Sequence, residues 1–305
     1  IFVDRSRQML MRLAYDVATN DYATDDLTQL NPEIAEVGGG FVRLAVQRRP
    51  DTRIHCLRAD GTVAMLVFDK AENVVCWCEI ETNGVVEDVL VMPGTEEDEI
   101  SYLVRRTINS ADVRSWEKWA MQSQCVPGDL VRLADAHVIY DGAPTVTITG
   151  LAHLEGEEVV CWADGQDRGT FTVSGGEITL PVAVSKACVG LGYEATYRSM
   201  KPAHGSALGT MLSQKQRVCH LGLVLADTHA QGLQYGPDFS TLDDMPMIED
   251  GALIDGDATW ESYDEPMIEF PGDWSVNPAI CLRGAAPRPV TVIAAIPSMV
   301  IHDRA

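Results

Sequence analysis

Cys76, Trp77 and Cys78 stand inside the apolar run VVCWCEI, where a strand's period of two puts both thiols on one face and the indole on the other. Two thiols are half of a zinc site, which takes four Cys, His or carboxylate ligands. No CxxC or HxxxH accompanies them, so buried structural thiols are the expectation. His55 and Cys56 adjoin in RIHCLR and must face opposite ways, which excludes a Cys–His dyad between them. His153 and Glu155 share the corner LAHLEG without a nucleophile motif, so a turn-fixing role is expected of them.

Asp255-Gly256-Asp257 offers oxygen ligands to a hard cation, but the Glu that closes a twelve-residue calcium loop is missing. Neither GxGxxG, GxxxxGK[ST] nor GxSxG occurs. Arg105, Arg106 and Arg114 carry guanidinium forks suited to carboxylates. Their expected partners are the four acids at 96–99. An enzyme is therefore the weaker class: no catalytic, cofactor-binding or metal-binding residue is assigned, and no cofactor is expected.

The elements that hold these residues read as all-β. At the start, Met9, Leu10, Leu13, Ala14 and Val17 recur at helical spacing after Asp4, and one amphipathic helix is predicted over 4–19. Asn31-Pro32 opens a short helical turn that Gly38-Gly39-Gly40 ends. From Phe41 the period becomes two. FVRLAVQ, RIHCLR, TVAMLVFD, VVCWCEI, VVEDVLVM, SYLVRRTI and VRSWEKWA follow with short connections, among them Asp60-Gly61 and Asn83-Gly84. Such dipeptides favour hairpins because they tolerate positive φ, so an antiparallel, propeller-like meander is predicted over 41–131. A linker at 122–131 precedes a small β-barrel at 132–202, whose opening stretch TITGLAHLEGEEVVCWADG ends in an Asp164-Gly165 turn. Residues 203–305 read as a β-rich C-terminal region rejoining the first β unit, with 1–40 as helical segment and linker.

The 305 residues carry a formal net charge of −22, which disfavours a surface that grips nucleic acid by neutralising phosphates. No apolar run reaches the roughly 18 to 20 residues of a membrane-spanning helix. The eight Cys are scattered through strand patterns and read as free thiols of a reducing compartment rather than a disulfide framework. Between Val218 and Leu282 there is no Lys or Arg and there are thirteen Asp or Glu. A solvated or lumen-facing surface is expected from Asp238, Asp243, Asp244, Glu249, Asp250, Asp255, Asp257, Glu261, Asp264, Glu265, Glu269 and Asp273.

Several stretches together resemble a family: DYATDDLTQL at 21–30, VEDVLVMPGTEEDEISYLVRRTIN at 86–109, GLAHLEGEEVVCWADG at 150–165, VSGGEITLP at 173–181, VGLGYEATYRSMKP at 189–202, GPDFSTLDDMP at 236–246 and LIDGD at 253–257. The chain is similar to the tail nozzle proteins (tail tubular protein B) of short-tailed bacteriophages, also labelled phage stabilisation proteins with an FCCH-like domain. Ser110 and Gly192 depart from that pattern. The resemblance implies a virion structural protein of the tail, assembled in the host cytoplasm as a homo-oligomeric, hexameric ring. It further implies a tail adaptor protein and tail fibres as partners, and transient, non-specific passage of double-stranded DNA through a channel. It places the FCCH-like barrel at 132–202. It also implies a longer polypeptide, in keeping with a first residue that is Ile1 rather than Met.

The alternative is a β-rich carbohydrate-binding or glycan-processing phage tail protein, for which Trp260, Tyr263 and Trp274 lie among acids. Ubiquitin-type activation fails for want of an adenylate-binding motif.

Overall fold

A computed structural model describes residues 1–202, 205–206, 209–210, 212–249 and 252–302. The chain divides into two compact units, Ile1–Met121 and Gln122–Ala305. Nearly every regular element is a strand, and every pairing is antiparallel.

The first unit holds β1 (Phe2–Val3), β2 (Leu10–Asp16), β3 (Asp21–Asp26), the helical turn α1 (Glu33–Glu36), β4 (Phe41–Gln47) and β5 (Arg53–Arg58). β6 (Val63–Asp69), β7 (Val74–Ile80), β8 (Val85–Met92), β9 (Glu99–Ile108) and β10 (Ala111–Lys118) follow. The predicted helix over 4–19 is a hairpin instead. Asp4 caps backbone amides as expected of an N-cap, but they belong to a loop: its carboxylate accepts from Ser6, Gln8 and Met9 at 3.0, 3.2 and 3.1 Å. The apolar residues at helical spacing do not share a face, since Leu10 is fully buried while Leu13 and Val17 are 52% and 83% exposed. A distant partner overrides local propensity: β3 pairs with β2, and Tyr15 meets Tyr22 edge-on across the hairpin at 5.3 Å.

All seven strands predicted from Phe41 onward are present, but as two sheets. β4-β5-β6-β7 is one up-and-down meander, and β8-β9-β10 is another. Asn83-Gly84 crosses between the sheets rather than closing a hairpin, because β7 and β8 do not pair. Gly84 has φ 149, and a Cβ there would stand 2.8 Å from Arg105 O, so the crossover needs glycine.

Strand β5 explains the layering. Ile54 and Cys56 enter a core with Leu10, Ile34, Phe41 and Leu66, whereas Leu57 faces a second core with Val86, Val89, Ile100 and Val104. β5 is thus buried on both faces, with His55 the polar group inside its Ile54–Leu57 stretch.

The second unit begins with β11 (Asp135–Thr149), β12 (Glu158–Ala163), β13 (Gln166–Thr172), β14 (Glu177–Leu191) and β15 (Glu194–Arg198). β16 (Gly205–Ser206), β17 (Gly209–Thr210), β18 (Gln216–His229), β19 (Leu233–Asp238) and β20 (Thr241–Asp244) come next. β21 (Ile248–Glu249), β22 (Ala252–Leu253), β23 (Thr259–Glu269), β24 (Cys281–Ala285) and β25 (Thr291–Ile301) complete it. Where a small barrel is expected, four strands in the order β11-β14-β12-β13 form a sheet in which β11 and β13 remain edges. The long strands β11 and β14 bend through register shifts at Asp135/Val138 and Asp141/Thr145. Residues 203–305 belong to the same unit, where β15 pairs with β24 and β18 lies between β23 and β25. Leu221, Leu223 and Leu225 of β18 are fully buried in that core, each burial contributing about 1.5–3 kcal/mol before entropy. No helix among the described residues is long and apolar enough to cross a membrane.

Candidate functional site

The face of β6 and β7 that carries the paired thiols is set by Trp77. Its indole enters the opposite core, stacking on Phe41 at 5.8 Å and donating Nε1–H to Leu27 O at 2.9 Å. Alternation then turns Cys76 and Cys78 to the other side, as the sequence predicts. The predicted burial does not hold: both cysteines are exposed, because β7 is the edge of its sheet. Cys78 stands opposite Met65 and Cys76 opposite Val67. The Cys78 thiol leans on Met65 O at 3.6 Å, and its pKa is raised by desolvation first and by the neighbouring Cys76 second. All eight cysteines are free, and Cys56, Cys161, Cys188 and Cys281 are buried as expected.

Further along the same face, His55 is fully buried. Its Nδ1 lies 2.8 Å from Tyr102 Oη and its Nε2 3.4 Å from Gln47 Oε1. Gln47 directs its amide NH₂ to Arg49 O, leaving Oε1 as an acceptor, so His55 carries its proton on Nε2 and accepts from Tyr102 at Nδ1. Burial pushes the His55 pKa down to about 4. The ring is a neutral packing group, bounded edge-on by Tyr102 and Trp119.

The arginines do not reach the acids at 96–99. Arg105 pairs with Glu87 and Asp112, Arg114 with Glu87, and Arg106 with Glu117. The register of β8-β9-β10 decides this, since Arg105 lies opposite Val85 and Arg114 within one sheet, beside Glu87. Arg106 is 4% exposed. It grips both Glu117 oxygens at 2.9 and 2.7 Å, donates to Thr82 Oγ1 at 2.8 Å and reaches Asn83 O, tying down the crossover between the sheets. Of the four acids, Glu99 pairs with Lys118, and Asp98 accepts from the Arg48 and Arg49 amides.

In the second unit, the corner after β11 keeps His153 and Glu155 occupied. His153 Nε2 lies 2.8 Å from Ala136 O. The Glu155 carboxylate accepts from the Gly175 and Gly176 amides at 2.9 and 2.7 Å, holding a two-glycine turn whose φ values are 68 and 75. Asp164, at φ 48, turns the chain and accepts from the Ser185 and Lys186 amides.

The acidic set is on the surface. Asp238, Asp243, Asp244, Asp255, Asp257, Glu261, Asp264, Glu265, Glu269 and Asp273 are all exposed, and among the described residues none of them forms an ion pair. Asp250 lies outside the described residues, and Glu249 is placed only as the end of β21. Four of the carboxylates, Glu261, Asp264, Glu265 and Glu269, lie along β23, an edge strand. Asp255 and Asp257 interact locally through the Asp257 amide, and no group of three His, Cys, Asp or Glu among the described residues is arranged to hold a metal.

Two of the three aromatics that a sugar platform would need are core residues. Trp260 and Tyr263 are 6% and 5% exposed and pack on each other at 4.5 Å. Trp274 is exposed beside His302.

Two features carry no clear sequence signal. His229, 1% exposed, accepts the Gln231 amide at Nδ1 and, among the described residues, leaves Nε2 without a hydrogen-bond partner, next to the Asp167–Arg288 pair. An apolar groove of about 450 Å³ is lined by Tyr197 of β15, Leu282 of β24, and Val292, Ile293 and Ala295 of β25. Its composition looks like ordinary strand in the sequence, and only the placement of two edge strands creates it.

The fold and these surfaces define a class: an antiparallel all-β protein with an acidic surface that forms no ion pair among the described residues. No protein-family model matches the chain, and no curated protein matches it.

Proposed function

We propose that this chain is a structural subunit of the tail nozzle of a short-tailed bacteriophage, a non-enzymatic part of the channel through which double-stranded DNA leaves the virion. The observation that carries the reading is the run of ten exposed, unpaired carboxylates between Asp238 and Asp273. A duplex presents one negative charge per about 1.7 Å of its axis, and proteins hold it by releasing its counterions with Lys and Arg. A wall of unpaired carboxylates does the opposite, letting the duplex slide without stalling.

In this reading the four-stranded meander β4 to β7 is a propeller-type blade, and the 132–202 region is the small barrel-like module of such proteins. The partners are five further copies in a hexameric ring, a tail adaptor and tail fibres. Residues of the acidic surface face the lumen or the distal opening.

Electron microscopy of the purified full chain tests the assembly. A six-fold ring with a central channel is expected; a monodisperse monomer that cleaves polysaccharide would replace the reading with a glycan-processing one. Replacing Glu261, Asp264, Glu265 and Glu269 together by Lys is expected to slow genome ejection from assembled particles, most at low salt. Ejection at the wild-type rate refutes a lumen-facing role for β23.

A further inference from the structure

We propose that the exposed margin of β6 and β7 is a binding site for a soft monovalent cation of the Cu(I) class, held by the thiolates of Cys76 and Cys78 with the Met65 thioether as third ligand. The proposal is independent of the phage reading. It rests on three sulfurs that one register brings to one face: Cys76 and Cys78 two residues apart on β7, and Met65 directly opposite Cys78 on β6.

Distance arguments favour an ion over a disulfide. Residues two apart in a strand have Cα atoms about 6.6 Å apart, at the upper limit of about 6.8 Å for a disulfide, and their Cβ vectors run parallel rather than converging. A bridging ion relaxes that demand. Two metal–sulfur bonds of about 2.3 Å tolerate sulfurs up to roughly 4.6 Å apart. Directly opposed side chains on an antiparallel pair have Cβ atoms about 4.5–5.5 Å apart, and a long side chain also reaches its diagonal neighbour at about 7–8 Å. The register therefore places Met65 opposite Cys78 and diagonal to Cys76, within the span that a long side chain covers.

The strand is held in place from behind. Trp77 is locked into the opposite core by Phe41 and Leu27 O, so β7 cannot rotate to bury its thiols. Both cysteines are exposed and Met65 is half-buried, which leaves the site open to an incoming ion.

The donor set selects the ion. Zinc in a structural site takes four N, S or O ligands, and the described residues offer no group of three His, Cys, Asp or Glu here. His55, on the same face, spends both ring nitrogens on Tyr102 and Gln47. Three soft sulfurs without nitrogen or oxygen suit Cu(I). Binding replaces two thiol protons, which go to solvent, and gives a complex of net charge −1. No electron is transferred.

The test is an anaerobic titration of the reduced full chain with Cu(I) buffered by bicinchoninate. One tightly held equivalent per chain is expected. It should be lost in Cys76→Ser and in Cys78→Ser, weakened at least tenfold in Met65→Leu, and kept in a Cys125→Ser/Cys219→Ser control. Far-UV circular dichroism and the thermal midpoint should stay at wild-type values in Cys76→Ser and in Cys78→Ser, because both of these thiols are exposed. Absence of a tight equivalent, or the same uptake by a Cys76→Ser/Cys78→Ser variant, overturns the site. Unchanged affinity in Met65→Leu overturns the three-sulfur assignment, and Zn(II) competing at comparable affinity overturns the soft-ion class.

Discussion

The sharpest test of the first unit is the buried pair Arg106–Glu117, and it separates a structural cation from a surface one. Arg106 is 4% exposed and the Glu117 side chain 18%, so water screens neither fully. The guanidinium also satisfies Thr82 Oγ1 and Asn83 O in the crossover between the sheets. Arg106→Met keeps the apolar stem but leaves the Glu117 carboxylate without its counter-charge, held among the described residues by Ser115 Oγ alone, a loss of about 3–5 kcal/mol for a broken buried pair. Glu117→Leu strands the guanidinium at similar cost. The double variant removes both charges and leaves only the crossover acceptors weakened, about 1–3 kcal/mol. The cycle should therefore show a coupling of at least about 2 kcal/mol, far from additivity.

Hydrogen exchange resolved to β8, β9 and β10 reads this sheet separately from the second unit, and urea midpoints give a second measure. With a slope of about 1–3 kcal/mol per molar urea, Arg106→Met should move the midpoint by at least about 1 M. An additive cycle, or a loss below about 1 kcal/mol in Arg106→Met, would refute the claim that this pair anchors the crossover.

Acid should destabilise the first unit through His55. The folded ring binds its proton only near pH 4, whereas the unfolded chain binds it near 6.5. Stability is therefore full above about pH 6.5 and falls as pH drops toward 4, by about 3 kcal/mol at 1.36 kcal/mol per pH unit. Trp119 fluorescence beside the ring follows it, and His55→Gln should flatten the profile between pH 6.5 and 5; an unflattened profile assigns the loss elsewhere. The buried His229, its pKa lowered by desolvation and then by Arg288, should act with the same sign in the second unit. His229→Leu should reduce the loss of β18 exchange protection between pH 7 and 5.5. Glu155→Ala should cost about 1–3 kcal/mol by freeing the Gly175 and Gly176 amides. His153→Ala should cost about 1 kcal/mol through Ala136 O. Either change producing a selective loss of a catalytic activity in a fully folded chain would contradict the turn-fixing roles.

What the sequence disclosed depended on how far each signal had to travel. Period-two alternation is local, so the seven strands from Phe41 onward and the Asp164-Gly165 turn were legible without any knowledge of partners. Sheet membership is not local. Asn83-Gly84 has the composition of a hairpin turn, and its use as a crossover is decided by Arg106, 23 residues away, which holds Asn83 O. The N-terminal segment shows the same limit: Met9, Leu10, Leu13, Ala14 and Val17 satisfy a helical period by coincidence, and pairing with β3 decides the outcome.

The thiols at 76 and 78 combine both kinds of information. Their common face follows from alternation alone, but their exposure follows from β7 being the last strand of its sheet, a fact of topology. An apolar CWC run reads as core whenever a second layer covers its face, whereas here the second sheet packs through β8 on β4 and β5. With Trp77 turned inward and nothing paired beyond β7 among the described residues, the same alternation delivers two sulfurs to the surface opposite a methionine. The candidate chemistry of the chain thus lies where the period was legible and the sheet edge was not.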